Sequence, residues 1–526
     1  MSVKLRSFVS RFRTSSMILN ALVRDKRGLT GLLILIFYAL LGGVGPYFLP
    51  YDPILSQNLA DANAMPDWLA PPDIPRTMNI SLDNWTVTQV SKEGDVDINI
   101  TNQGRIVIIK IWGKGAANIS LLTNDYLYYT YQPARSMRVS SVYSVVPIDP
   151  VNNTILNVDK TDGWYSISYY LYNQDLYGKN TTVVTGGVNY TLPMGLYIFY
   201  SDPGFRIGYI NPFINEAAVN KSVDKRLPDY ILNIKQPTPI PEAVNSVREL
   251  LLAKDTRLRA GVNISYYCDP MSFLMKCKGE SGVMIIIRRV HITIYGLAFG
   301  LLGANDLGSD VFTQFVYGAR TAIIFGFSVA IAIVIMGLFV GVFAGYNVGK
   351  LSDYITTFIT DVIYFLPTLP LILAAGIVFG RSIVVIYLVI VLLSWPGTAR
   401  VIRSWTMALK SELYVEAAQA LGAGTGRILI KHIIPQLVPY MVYAVVVGVP
   451  GAVFTEVAVQ LLGFGDPTWP SWGRILNEAY YRGAISGGVW WWILPPIFGI
   501  VTLALGFALM GLALDEIANP RLRRRM

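Results

Sequence analysis

The chain has 526 residues, 53% of them hydrophobic and 15% charged, with a mean hydropathy of +0.45 and a formal net charge of +9. Soluble domains carry about 25% charged residues, so this composition excludes an ordinary soluble globular protein. The apolar residues fall in long runs of the kind that cross a bilayer, and the basic residues fall in short segments between them. The positive charge therefore reads as membrane topology and not as nucleic-acid binding.

Residues 1–28 form a basic N-terminus with Lys4, Arg6, Arg11, Arg13, Arg24, Lys26 and Arg27. The run 31–49 that follows has no charged residue and nearly the length, about 20 residues, needed to span the hydrocarbon. It lacks the shorter apolar region and small-residue cleavage site of a signal peptide. Residues 29–50 are therefore predicted as a retained first transmembrane helix with a cytoplasmic N-terminus.

Residues 51–300 differ in kind. Short alternating runs at 105–112, 126–131, 164–172, 181–191 and 283–294 are separated by turn residues, which predicts a sandwich- or barrel-like β domain. One amphipathic helix is expected at 241–253. The apolar stretch 283–302 is read as a strand, because burying Arg288 and Arg289 in a bilayer would cost about 5–7 kcal/mol. All nine Asn-x-Ser/Thr acceptors lie in this segment: Asn79, Asn84, Asn99, Asn118, Asn152, Asn180, Asn189, Asn220 and Asn263. So do both cysteines, Cys268 and Cys277. Clustered acceptors and a cysteine pair are expected of an extracellular, glycosylated domain with a disulfide.

Five further spans are expected at 322–344, 355–378, 383–396 (continuing to about Arg400 past Pro396), 437–462 and 490–512. Six spans put both termini inside. Lys350, Arg400, Arg403, Lys410, Arg427, Lys431 and the basic tail at 517–526 then lie on the cytoplasmic side, with Arg381, Arg474 and Arg482 outside, as the positive-inside rule requires. The expected fold is thus an α-helical membrane protein with six transmembrane helices and a mainly-β extracellular domain between helices 1 and 2. Acids inside spans are costly and functional by default. Asp361 and Glu456 are accordingly candidates for a translocation path, together with Tyr364 and Pro367; the plainer reading is structural pairing. Trp490, Trp491 and Trp492 suit an interfacial aromatic belt.

Between the fourth and fifth spans, residues 416–439 read as a short helix with small residues at Ala417, Ala418 and Ala420. Glycines at 422, 424 and 426 break it before a second helix reaches Pro435. Small side chains let another surface approach closely, and the plainer reading is an ordinary cytoplasmic hairpin. The order Glu416-Ala417-Ala418, then Leu421-Gly422, Arg427 and a final proline resembles the EAA motif of ABC importer permeases. The segments 302–310, 317–320, 394–403, 462–473 and 519–523 resemble the C-type subunit of the dipeptide, oligopeptide and nickel importers. The likeness covers residues 20–73 and 300–526, and it leaves the β segment outside. Ala304-Asn305 and Ser309 depart from the usual Thr-Asp and Arg, which puts a charged contact at the outer mouth in doubt.

The resemblance implies a type I importer permease core at 301–516, with a coupling loop at 405–436 gripped by two ATPase subunits that bind ATP and Mg. It further implies a homologous second permease, an extracellular substrate-binding protein, and cargo of oligopeptides or, in archaeal members, oligosaccharides. The scarcity of Cys and His together with the nine acceptors suits an archaeal surface protein. The chain's own residues hold no ATPase or catalytic constellation. The segment 344–351 lacks the Ser/Thr of a P-loop, and His291 and His432 are too few for a metal site. A surface receptor or adhesion glycoprotein with a membrane anchor is the alternative from another class, and it gives the 416–439 segment no purpose. A secondary transporter would show inverted repeats, and none is evident. The β insertion is expected to cap the outer mouth and dock the binding protein.

Overall fold

The computed structural model describes residues 25–518, apart from 104, 133, 135, 157–163, 186–187, 194–195, 207–218, 228–251, 269–276, 278 and 280–281. The basic N-terminus before residue 25, nearly all of the helix expected at 241–253, and the 519–523 motif lie outside the described residues. The chain divides into two compact units, Asn58–Gly308 and Met1–Gln57 with Ser309–Met526.

In the helical unit, α1 (Lys26–Gly43) starts on an Asp25 cap, and α2 (Val311–Tyr346) starts on Asp310, whose carboxylate accepts from the amides of Phe312 and Thr313. These caps satisfy amides that no preceding turn can bond. Then come α3 (Leu351–Tyr364), α4 (Thr368–Phe379), α5 (Ile383–Lys410), α6 (Leu413–Ala420), α7 (Thr425–Ile428), α8 (Ile434–Leu461), α9 (Trp472–Tyr481) and α10 (Trp490–Ala518). Among the described residues five helical stretches are long and apolar enough to cross a membrane, and a sixth crossing arises if α3 and α4 are one broken span.

That break differs from the single helix expected over 355–378: α3 and α4 meet at 80°. Pro367 has no amide to give to Ile363, and it disfavours helical geometry at Leu366. The amide of Leu366 turns instead to the Ile363 carbonyl in a tighter bond. Pro396 has the opposite outcome. It sits inside α5, and the helix runs on to Lys410, ten residues past the end expected near Arg400.

The part of α5 after Pro396 packs closely against α2. Gly337, Gly341 and Gly345 repeat every four residues along α2 and form a bare strip. A Cβ on Gly341 would lie 2.6 Å from the Ala399 carbonyl oxygen, and one on Gly345 would lie 2.6 Å from that of Arg403. Backbones this close are the usual solution for helices in lipid, where apolar side chains gain nothing by leaving the solvent.

The second unit is a β domain. A long hairpin of β2 (Trp85–Asn102) and β3 (Val107–Thr123) leads a ten-stranded antiparallel sheet with path order β10-β5-β12-β3-β11-β6-β9. Here β5 is Met137–Ile148, β6 Trp164–Asn173, β9 Leu196–Arg206, β10 Val219–Leu227, β11 Thr256–Cys268 and β12 Gly282–Ile294. The shorter β1 (Met78–Leu82) and β4 (Leu127–Tyr129) add to β12 and β11. The run expected at 181–191 is a separate hairpin of β7 (Asn180–Thr185) and β8 (Val188–Pro193).

β3 pairs with β12 through Val107–Trp112 and with β11 through Gly115–Leu122. The change of partner falls at Gly113 and Gly115, with φ of +104° and +140°. A Cβ at Gly115 would lie 2.0 Å from the Glu93 carbonyl oxygen, so only glycine can carry this bend. The sheet consequently folds over on itself. Tyr143 on β5, beside β12, and Tyr169 on β6, beside β11, have ring centroids 5.9 Å apart. A single core encloses Trp85, Ile109, Tyr129, Tyr143, Tyr169 and Ile285. Arg288 and Arg289 point outward from β12 while its alternate residues are buried.

The two ends of this unit are bonded to each other. The amides of Asn58 and Leu59 donate to the carbonyls of Leu307 and Gly308, and the Ala304 amide donates to that of Ala64. An inserted domain whose ends meet can be accommodated in a loop without spreading the elements on either side. Residues 301–308 thus belong with the β domain, a few positions beyond the boundary expected at residue 300.

We predict that Gly341→Leu, by forcing α2 from α5, lowers the thermal unfolding midpoint of the detergent-purified protein by an overpacking cost of about 1–3 kcal/mol, whereas Phe339→Leu, on the exposed side of α2, leaves it unchanged within error.

Candidate functional site

Two clusters stand out in the helical unit. The first is the loop between α5 and α8. Its apolar anchors are Val415, Ile428, Ile433 and Leu437, each no more than 1% exposed and packed with Leu338, Val342 and Ile402. With those inside, the residues singled out in the sequence face outward. Glu416, Ala417, Leu421, Gly422, Arg427 and Pro435 are exposed, and Ala418 is half-buried. Leu421 is 88% exposed. Gly422 has a φ of +78°, the left-handed value that ends α6. A Cβ on Gly424 or Gly426 would meet nothing within 4 Å, so no neighbour within the chain explains the absence of side chains there.

Pro435 does not end a helix, as the sequence had indicated. It is the second residue of α8, preceded by a π-helical turn at Leu429–Ile433. The wider turn avoids the clash between the proline ring and the carbonyl four residues back. The helix from Thr425 therefore runs without a break in direction into the apolar span that ends at Leu461.

The second cluster joins α3 to α5. Arg403 is bidentate to Asp353, with Nε and Nη2 each 2.9 Å from a carboxylate oxygen. Asp353 also accepts from Thr357 Oγ1 and the Gly349 amide, and its side chain is 5% exposed. Two turns further along α3, Arg400 reaches Asp361 with Nη2 at 2.6 Å and Nε at 3.2 Å, both on Oδ1. The Arg400 guanidinium lies 3.8 Å from the Tyr364 ring centroid and 5.7 Å from that of Phe365. This pair is open, with side chains 36% and 47% exposed. Pro367, also exposed, begins the break beside it.

Glu456 is not in this cluster. It is 2% exposed within α8, next to Ser471 and Gln460. The arginine partners and Asp353 went unrecognised in the sequence. The usable signal was two acids eight residues apart in one span and two arginines three apart in the next. In an apolar setting such charges must find each other.

In the β domain the side chains of Asn79, Asn84, Asn99, Asn118, Asn152 and Asn263 are exposed. Asn180, Asn189 and Asn220 lie on β7, β8 and β10, with side chains outside the described residues. Cys268 and Cys277 are joined by a disulfide with their Cα atoms 5.3 Å apart, and both are buried. Among the described residues no group of three or more His, Cys, Asp or Glu side chains could hold a metal ion.

Residues 337–524 match the family described as the inner membrane component of binding-protein-dependent transport systems. Residues 15–72 match the N-terminal transmembrane domain of oligopeptide transport permease C. The dipeptide transport system permease protein DppC of Bacillus subtilis is 32% identical over 223 residues, covering 42% of this chain and 69% of the relative. The oligopeptide transport system permease protein OppC of the same organism is 31% identical over 223 residues, covering 42% and 72%. A solved inward-facing methionine ABC transporter, MetNI, is 20% identical with a TM-score of 0.30, covering 39% of this chain and 94% of its own.

The two ion pairs are expected to differ in cost. Arg403→Ala leaves Asp353 buried without its partner and should destabilise by about 3–5 kcal/mol. Arg400→Ala leaves an acid already half in the open and should cost about 1 kcal/mol or less. Thermal unfolding of the two purified variants checks the order, and equal losses would contradict it.

Proposed function

Since the chain belongs to the dipeptide and oligopeptide family of ABC transporter permeases, we propose that it is one of two homologous permeases in an importer driven by ATPase subunits that dock on the 405–436 loop. The observation that carries this reading is the outward display of Glu416, Ala417, Leu421 and Gly422 on a hairpin held from behind by Val415 and Ile428. A helix of eight residues is too short to stand alone in water, and its exposed leucine gains nothing inside the chain. A groove on a partner would supply the missing contact. A receptor with a membrane anchor would have no use for it.

Energy enters from those partners, which carry ATP and Mg. The rigid continuation of α7 through the π turn into α8 lets a push on the loop reach a transmembrane span. The path runs beside α3, α4 and α5, where Asp361, Tyr364 and Pro367 are open. Glu456, enclosed in the chain, has a structural role in this scheme. The names of the relatives favour a peptide cargo over an oligosaccharide.

The β domain faces the outside, where a binding protein delivers cargo. The exposed acceptor asparagines carry glycans there, and the Cys268–Cys277 bridge persists in an oxidising compartment. In this reading the domain receives the binding protein.

Two measurements test the scheme. In the reconstituted importer, Glu416→Lys or Gly422→Asp should leave the permease in the membrane and reduce transport-linked ATP hydrolysis to the uncoupled level. Full coupled activity in both variants would refute docking at this loop. Deleting residues 75–300 should lower uptake by weakening capture of the loaded binding protein, and unchanged uptake and affinity would remove the receiving role of the β domain.

A further inference from the structure

The attachment of α3 is unusual for a membrane helix. Of its fourteen residues only Asp353 and Thr360 are buried, while Tyr354, Phe358 and Val362 are exposed. Two arginine rungs tie the helix to α5. The lower rung is closed: both Asp353 oxygens are bonded to Arg403 and the acid is covered. The upper rung is open: both bonds from Arg400 fall on one oxygen of Asp361, and each side chain is more than a third exposed.

Depth gives this opening a meaning. Arg400 lies 17 residues after Ile383 and 10 before Lys410 in α5, about 26 Å and 15 Å from its ends at 1.5 Å per residue. Counted from Ile383 against a hydrocarbon layer of about 30 Å, that is the inner part of the span. Charges at such a depth do not face hydrocarbon; they face protein or a water-filled cavity. The chain leaves helical geometry at 365–367, which inside a membrane needs cover from protein or water, and within this chain the pair beside it is left open. An aromatic wall of Tyr364 and Phe365 covers one side of the guanidinium and leaves its donor edge to exchange partners.

We propose that Arg400 is a specificity-determining residue that takes the carboxylate of a peptide in passage, displacing Asp361, while Asp361 becomes free to meet an amino group. This rests on the reading of α3–α5 as the path wall. A guanidinium suits the task because its planar fork matches a carboxylate. The resident Asp361 keeps the cation paired when no cargo is present, so the charge is never left bare. The lower rung keeps α3 attached during the exchange.

The test uses the complete importer, with its second permease, ATPases and binding protein, in proteoliposomes. The probes are trialanine and trialanine amide, each at a concentration that saturates the binding protein. Arg400→Gln should slow uptake of trialanine about tenfold and that of the amide less than twofold, with Arg400→Lys between wild type and Arg400→Gln on trialanine. Equal slowing of both probes overturns the proposal in favour of a contact with the second permease, and so does the absence of any effect. If the Arg400→Gln complex does not assemble, Asp361→Asn decides: it should change the uptake rate of trialanine about threefold or more and that of the amide less than twofold, and a parallel change overturns the proposal. A wild-type importer that moves neither probe removes the path reading together with this proposal. One that moves both, with Arg400→Gln indifferent, removes this proposal alone.

Discussion

A bilayer does not let a charge stand alone, and the arrangement of α3 against α5 follows from that constraint. Apolar side chains gain little by meeting each other in lipid, so helices there are joined by close backbone contact or by polar bonds. Both devices converge on α5. On one side the glycine strip of α2 brings the two backbones together at Ala399 and Arg403. On the other, Arg403 and Arg400 hold α3. The first contact has no room to move. The second consists of discrete bonds, and its open rung lies beside the break at Pro367.

Proline acts in three ways in this chain, and its neighbours decide which. Pro367 separates α3 from α4 because the few buried side chains nearby do not hold the helix through it. Pro396 is carried inside α5, and the α2 strip packs against the backbone that follows it, from Thr398 to Thr406. Pro435 is absorbed by a π turn that widens the helix ahead of it. The third case carries the helix of the 405–436 loop on into the apolar stretch that ends at Leu461.

Glycine does the corresponding work in the β domain. Gly113 and Gly115 let one long strand serve two partners in turn, and the sheet closes over a core of large aromatic and branched residues. The bonds between 58–64 and 304–308 tie its ends together. A domain built this way interrupts a helical chain at little cost to either part.

Much of this was legible in sequence. Runs such as 322–344 and 490–512 announce themselves because a bilayer demands length and apolarity and nothing subtler. The alternation in β12 around Arg288 and Arg289 distinguished a strand from a span because a bilayer has no place for two unpaired arginines. The segment around Glu416 stood out by its resemblance to the EAA motif, since its residue types alone also suit an ordinary hairpin. The break at Pro367, the passage of α5 through Pro396 and the pairing of Arg400 with Asp361 were not legible. Each depends on what lies across the helix, which residue types and spacing do not specify. Sequence by itself determined the membrane class, most of the long apolar helices and the strand-rich segment between the first two, because local composition suffices for those. Tertiary structure alone decided which charges pair, which pair stays open and which prolines bend the chain, because those outcomes turn on distances of a few ångströms between residues far apart in the chain.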